Sequence, residues 1–552
     1  MSSYYGRPDF DQAIKAVVDR VGFVYVAGWR ERPGYGDADV FVIKLSPDGS
    51  RVVYETILAG SGYDSVFGLA VDPFGGIFVA GSTASDDFPI RRAFQPELNG
   101  NSDAWVAKLD SRGEIVWASY FGGTAGDGVM AMTTNAKGDV FLTGSTDSID
   151  LPGATKGAQP RHAGGYFDAY VAKLRGDGRG VVFASYLGGT ADETGWSVAV
   201  DRADDVYVVG MTGSVDFPTV LALQPTFGGS YSDAFVTKFS SDGRTLRYST
   251  YLGGTDFDYA RSAALDSQGF VYVTGATSSS DFPTRRAHKA ILEGGDAFVA
   301  KLPGDGQSLV YSTFLGGSQY EGGLAVAVDS AGHVAVSGVT ASADFPDVGG
   351  LGRRPVEFDG FVTLFSNDGQ DVLSSTAIGG SDSDDVFSLA PDSTGSVWIA
   401  GRTWSTDYPT VNALQPSNAG GGDAFFSRIR FGPTIGAVTA VPSVLSPANR
   451  RMVEVGVEVT VGDAWHNEAR CRIVSVASSD PTGGDGDKRR DWEIFGDLQL
   501  RLRAARTHPS LGRVYAITVE CNDPTGLTAR DVAYVTVPRR AQRLTATPDD
   551  RR

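Results

Sequence analysis

Acidic side chains recur in register along this chain, and they are the first candidates for chemistry. Asp11, Asp64, Asp127, Glu193, Asp258, Glu321 and Asp384 stand at matching positions of successive repeated units. Carried on one rim, seven carboxylates could hold a hard cation, which wants several oxygen ligands, and calcium is the only cofactor such a set suggests. A residue that recurs in every unit usually does a recurring structural job, and an Asp at a turn caps backbone N–H groups. The structural role is therefore the expected one, and no cofactor is required. The same reading applies to the Asp residues that open another strand of each unit: Asp39, Asp103, Asp168, Asp233, Asp296, Asp359 and Asp423.

Departures from the repeat say more about recognition. From the Gly that ends the second strand to the Asp that opens the third, units two to seven take 22, 24, 23, 21, 21 and 22 residues, and unit one takes 11. Unit one also lacks the Asp-Phe/Leu/Tyr-Pro block present at 87–89, 150–152, 216–218, 281–283, 344–346 and 407–409. In its place stand Trp29, Arg30, Arg32 and Tyr35. Aromatic faces stack on sugars or peptide side chains, and an Arg fork suits carboxylates. A short loop between long neighbours should leave a notch, flanked by Trp404 and Tyr408 of unit seven, that suits an acidic glycan or peptide.

Catalysis has little to rest on. The histidines are His162 and His288 in long loops, His333 in a turn, and His466 and His508 near the C-terminus. No His-Glu-x-x-His, Gly-x-Ser-x-Gly or phosphate-cradling glycine loop occurs. A glycosidase pair of acids is a matter of spatial separation, which sequence does not give. Asp485, Gly486, Asp487 and Asp491 match part of a calcium loop without its full ligand spacing.

The elements that must position these residues are strands. The seven Asp-opened runs, such as DAWVAKL at 103–109 and DAFVAKL at 296–302, recur at steps of 63 to 65 residues. A fixed period of this length means one supersecondary unit repeated, each copy burying its apolar face against its neighbours. Unit five shows four strands: 259–266, 270–275, 296–302 and 308–317, rich in Val, Tyr, Phe and Thr and bounded by Gly, Asp and Ser. Four antiparallel strands per unit point to a β-propeller, with a solenoid as the competing architecture. The chain begins in mid-unit: residues 1–11 align with 248–258, and the repeats stop at Ile429 after three strands of unit seven. A solenoid would leave both ends as open edges, whereas a ring joins them. Small residues on one face of each innermost strand, such as Gly68, Ala131 and Ser197, fit blades converging at an axis.

Recurring blocks such as YSTYLGG (248–254), FVYVTG (270–275), SSSDFPT (278–284) and DAFVAKL (296–302) make residues 2–430 similar to the bacterial seven-bladed β-propeller repeat proteins, the SBBP-repeat family. That resemblance implies the propeller fold and an extracytoplasmic or surface setting, and it brings no catalytic residues with it.

Beyond Pro433 and Gly436 the repeat is gone. Alternating runs at 452–461, 470–479, 498–506, 513–521 and 529–537 suit an immunoglobulin-like sandwich. The opening at 443–455 and the pair Cys471 and Cys521 resemble bacterial immunoglobulin-like modules of surface proteins. Two cysteines in one small domain fit a disulfide in an oxidising compartment, with two buried free thiols as the alternative. Their separation of 50 positions leaves room for a bridge joining two sheets.

The expected chain is thus all-β: a seven-bladed β-propeller over 1–431 closed by the N-terminal strand, an immunoglobulin-like β-sandwich over 432–540, and a disordered tail over 541–552. Residues 432–552 hold 17 Lys+Arg and 15 Asp+Glu, which leaves 31 and 51, a net of −20, for the propeller. Nucleic acid needs a basic surface and is excluded as a partner. No apolar run approaches the ~20 residues of a membrane span. An export leader, absent at residue 1, would have been removed or lie upstream. The function expected is a monomeric, non-catalytic extracellular or cell-surface recognition scaffold for a glycan or protein. A polysaccharide-acting enzyme and a structural spacer are the alternatives.

Overall fold

Runs of β-branched and aromatic residues stopped by Gly, Asp or Ser become strands throughout the chain, as their propensities require. The structure, a computed structural model, describes all residues except 33–36, 230, 330, 350–351, 393–394, 433, 463–468, 480–490, 506–512, 523–527 and 539–552. Two units emerge, Met1–Ile429 and Arg430–Arg552.

Among the described residues the first unit contains seven four-stranded antiparallel sheets. Sheet one runs Asp11–Val18, Val24–Glu31, Ala38–Leu45, Val52–Leu58, and sheet two Asp64–Val71, Ile77–Thr83, Asp103–Leu109, Ile115–Phe121. Sheets three to six repeat that order, their first strands opening at Asp127, Glu193, Asp258 and Glu321. Sheet seven has Asp384–Pro391, Ser396–Thr403 and Asp423–Arg430, and its fourth strand is Ser2–Tyr5 from the other end of the chain.

Turn chemistry sets each hairpin. Asp110 accepts from the N–H groups of Arg112 and Glu114 at 2.8 and 3.0 Å, and Gly113 takes φ 84°, where a side chain would be strained. Every first strand carries one bulge at the same place, for example between Val66 and Gly68 and between Val129 and Ala131, which adds local twist. First strands of successive sheets contact one another in order, and that of sheet seven contacts that of sheet one. The apolar core accordingly lies between sheets: Phe78 and Trp117 of sheet two pack with Leu142, Tyr170 and Tyr186 of sheet three. Val24 and Phe41 of sheet one pack with Trp398 and Phe426 of sheet seven.

The N-terminal strand is held by more than its ladder. Ser2 faces Ser427 and Tyr5 faces Ala424, while the buried Tyr4 hydroxyl donates to the Ser405 carbonyl at 2.9 Å and accepts from the Tyr408 N–H at 2.7 Å. Removing residues 1–5 strips the edge of Asp423–Arg430 and uncovers Phe425 and Phe426. The truncated protein should melt at a lower temperature and associate in light scattering; unchanged melting of a monomer would refute the role given to this strand.

In the second unit, one sheet orders Thr434–Val441, Met452–Gly462, Gln499–Arg503 and Trp492–Gly496, and the other Arg470–Ser478, Arg513–Asn522 and Thr528–Val537. Their shared core includes Val455, Val457, Leu500 and Leu502 from the first and Ile517, Val519 and Val535 from the second. Cys471 and Cys521 are disulfide-bonded. The bridge does not join the two sheets, as the spacing had suggested. The cysteines are cross-strand neighbours within the three-stranded sheet, with Cα atoms 3.9 Å apart. Sequence separation leaves room for intervening strands, but antiparallel pairing brings distant residues face to face just as well. Replacing Cys521 with Ser should lower the stability of this unit by about 2–4 kcal/mol and leave melting of the first unit unchanged; two free thiols in denatured, unreduced protein would refute the bridge. Residues 541–552, expected to be a disordered tail, lie outside the described residues.

Candidate functional site

The seven repeated acids are not an open rim. Asp11, Asp64, Asp127, Glu193, Asp258, Glu321 and Asp384 are at most 1% exposed. Each ties down the chain entering its sheet. Asp127 accepts from the Gly123 N–H at 2.7 Å, the Thr146 hydroxyl at 2.5 Å and the Ser148 hydroxyl at 2.8 Å. Asp64 does the same with Gly60, Thr83 and Ser85, and Asp384 with Gly380 and Ser405. In sheet one the place of the Thr is taken by Arg30, whose Nε lies 3.4 Å from Asp11.

A second carboxylate faces each of these across its joint, and in most joints a glycine stands between the two. A Cβ on Gly122 would lie 2.7 Å from an oxygen of Asp103 and 2.7 Å from one of Asp127, so only glycine fits. The pairs Asp168 with Glu193 and Asp233 with Asp258 meet around Gly188 and Gly253 in the same way. A clip residue serves each joint. Gln95 donates to Asp103 at 2.8 Å and accepts from the Gly122 N–H at 3.1 Å; Gln224 and Gln415 donate to Asp233 and Asp423, and Gln159 accepts from Gly188. Elsewhere the clip is a cation: Lys289 stands 3.0 Å from Asp296 and Arg32 2.5 Å from Asp39, and Arg353 lies 3.9 Å from Asp359.

Burial pushes these carboxyls up: Asp11, Asp127, Asp233, Asp258, Asp384 and Asp423 to about 6, and Asp168 and Glu193 to about 7. The folded unit therefore holds protons that the unfolded chain releases at a lower pH. The stabilisation is full below the ordinary carboxylate range and is lost as pH rises through about 6 to 7. Exposed acids such as Asp87, Asp216, Asp281, Asp344 and Asp407 are held low by the backbone N–H groups of the preceding loops and oppose this only in stronger acid. Melting temperature should accordingly rise as pH falls from about 8 to about 5. A fall or no change, measured by calorimetry at constant ionic strength, would contradict these assignments.

The residues expected to form the notch are only partly brought together. Tyr408 is 3% exposed, stacks on Phe425 at 4.5 Å and is hydrogen-bonded to Ser427, so it is core and not a flank. Arg30 is 6% exposed, lies over the Phe41 ring at 4.8 Å, and is neutralised by Asp11 and Glu55. Arg32 is engaged by Asp39 and the Gly60 carbonyl. Tyr35 lies outside the described residues. Trp29 and Trp404 do share a surface, through a residue not expected there. Phe10 sits 5.1 Å from Trp404 and 5.4 Å from Trp29, and Trp29 is 5.9 Å from Tyr63. Trp404, Phe10, Trp29 and Tyr63 thus form one aromatic row across sheets seven, one and two, its ends 39% and 44% exposed. Gly422 makes the row possible, since a Cβ there would meet Trp404 at 2.9 Å and Phe10 at 3.1 Å. Phe10 and Tyr63 each immediately precede a repeated acid, as Phe257 and Tyr320 do in two other units, so that position alone does not single them out.

The histidines inside the described residues have local partners. His162 contacts the Thr146 carbonyl, His288 the Gln370 carbonyl, and His333 pairs with Asp329 at 2.8 Å. His466, His508, Asp485, Gly486 and Asp487 lie outside them, and Asp491 is paired with Arg503 and Arg513. Among the described residues no three His, Cys, Asp or Glu side chains converge as a metal site, and no helix is long and apolar enough to cross a membrane.

Two segments, 53–89 and 247–283, match the beta-propeller repeat of the SBBP family. Together with the all-β architecture they make this a protein of beta-propeller repeats. Over 301 residues the chain is 27% identical to the regulatory protein FlaEY of Caulobacter vibrioides, covering 51% of this chain and 31% of that protein, so it spans about a third of that relative's length. Among solved structures it is similar to a protein of unknown function from Dyadobacter fermentans, with a TM-score of 0.39, 10% identity, and 78% and 98% of the two chains covered. It is also similar to Sqt1 of Chaetomium thermophilum, at 0.39 and 13%, with 72% and 95% covered.

Proposed function

We propose that this protein is a non-catalytic recognition scaffold at the cell surface or outside the cell: a seven-bladed propeller followed by an immunoglobulin-like module, binding a neutral glycan on the aromatic row. The carrying observation is that row, Trp404, Phe10, Trp29 and Tyr63, at successive spacings of 5.1, 5.4 and 5.9 Å. Ring faces bury apolar sugar surface without needing charge. The neighbouring arginines are already neutralised, which moves the expected ligand from an acidic one to a neutral one. The ring reading is supported by the cyclic order of contacts among the first strands, and the surface setting by the disulfide, which persists in oxidising compartments. The immunoglobulin-like reading rests on the two packed antiparallel sheets, without the inter-sheet bridge of antibody domains. Polysaccharide hydrolysis is disfavoured because the repeated carboxylate pairs are buried beneath loop backbone. FlaEY is named a regulatory protein, a role that partner recognition could serve.

The test is a glycan array probed with the full chain, beside the Trp404→Ala/Tyr63→Ala variant, whose outward rings can go without disturbing the core. Binding should weaken about tenfold or more per ring with melting unchanged. Full-strength binding by the variant would place the site elsewhere, and retention only on a peptide array would replace the glycan with a protein partner.

A further inference from the structure

Six of the seven sheets in the first unit cover their own outer edge. After its second strand the chain runs back along the fourth strand and pairs with it. Arg91 and Ala118 exchange hydrogen bonds at 3.0 and 2.8 Å, as do Val220 with Ser249, Arg285 with Ser312, Val348 with Ser375, and Val411 with Ser2. In sheet three the Ala184 N–H reaches the Gly153 carbonyl at 3.1 Å. Most add a second anchor four residues on, such as the Gln95 carbonyl accepting from the Tyr120 N–H at 3.3 Å. These segments act as short fifth strands, and an open edge is what such cover removes.

Among the described residues sheet one has no such cover, and its connection from Gly28 to Asp39 is only 11 residues long. Its outer strand Val52–Leu58 aligns with Ile115–Phe121, so Glu55 and Ile57 stand where Ala118 and Tyr120 use their outward N–H groups. Among the described residues nothing outside the sheet bonds the backbone of Glu55 or Ile57. Exposure changes accordingly: Tyr120 is fully buried and Ile57 is 43% exposed.

We propose that the strand Val52–Leu58 is a docking edge that takes an extended segment of a partner protein as its fifth strand, with a basic residue opposite Glu55. The six covered sheets supply the template for shape. In two of them the residue at the bridge is Arg91 or Arg285, so a basic side chain fits that place. On sheet one it would face Glu55, whose carboxylate shares Arg30 with Asp11. Two acids and one guanidinium leave that cluster net negative and able to take a further cation. A second copy of this chain is the weaker occupant, because antiparallel pairing centred on Glu55 sets two like charges directly opposite. This inference is independent of the aromatic row.

The test uses a synthetic peptide copying Asp87–Pro96, added to the full chain and followed by fluorescence anisotropy, with light scattering for oligomeric state. Saturable one-to-one binding is expected. The Ile57→Pro variant removes an outward N–H that the ladder does not use, and should bind about tenfold or more weakly with unchanged melting. If that variant melts early, Ile57→Lys serves instead. A peptide with Glu at both Arg positions should also bind about tenfold more weakly. No binding to the parent chain, or equal binding by the folded variants, overturns the proposal. So does a concentration-dependent dimer that Ile57→Lys abolishes, which would make the occupant a second copy.

Discussion

A carboxylate buried at the start of every first strand is the constraint on which this architecture turns. Water is excluded there, so each acid must be satisfied by groups the chain brings to it, and leaving one unpartnered would cost several kcal/mol. In sheets two to seven the partners come from two places at once: the Gly N–H of the loop arriving from the previous sheet, and hydroxyls at and just after the end of the second strand of its own sheet. A single side chain thereby fixes the joint between sheets and the departure angle of the long loop. The loop then makes its own ties. Asp150 accepts from the Thr124 N–H at 2.9 Å, across the same joint. Phe88 stacks on Trp105 at 4.8 Å, and Tyr120 donates to the Ser85 carbonyl at 2.7 Å. Edge cover follows from these contacts and needs no separate cause.

Sheet one shows what happens when this arrangement is rebuilt. Arg30 enters at the Thr position and covers Phe41 where Phe88 covers Trp105, supplying both the missing bulk and a charge for Asp11. Ala59 stands where other joints have the glycine between the carboxylates. Asp39 is correspondingly the one strand-opening Asp that is not fully buried, and Arg32 clips it. Loss of the long loop thus uncovers two things together: the outer strand edge on one side and the aromatic row on the other. Their coincidence in one sector has a common structural origin.

The repeat period, the four-strand unit and the pairing of Ser2–Tyr5 with the last strand were legible because each is written several times or in complementary halves. The notch was legible only as a departure in loop length. Arg30 reads as a ligand-binding group in sequence, yet its function is internal, since the aromatic plug it replaces leaves a buried acid and a ring to be served. Tyr408 misled for the opposite reason: the Tyr of its Asp-Tyr-Pro block is equivalent to Phe88, a core position, and only its place beside Trp404 suggested a surface. Phe10 and Tyr63 hid beside the repeated acids. The order in which Cys471 and Cys521 pair within one sheet is set by register, which separation in the chain does not encode.

Formal charge also means less here than composition suggests. The net of −20 over residues 1–431 counts the joint carboxylates as fully ionised. Eight of them have been pushed up to about 6 or 7 by burial and sit beneath backbone. Near neutrality part of that charge is neutralised by protons held in the joints, and the rest acts from inside the protein. The field at the surface is set instead by the exposed acids of the loops, such as Asp87, Asp216 and Asp281. Selection of a charged partner therefore depends on local clusters, of which Glu55, Arg30 and Asp11 form one, and the overall acidity serves chiefly to keep acidic polymers and other copies at a distance that salt would shorten.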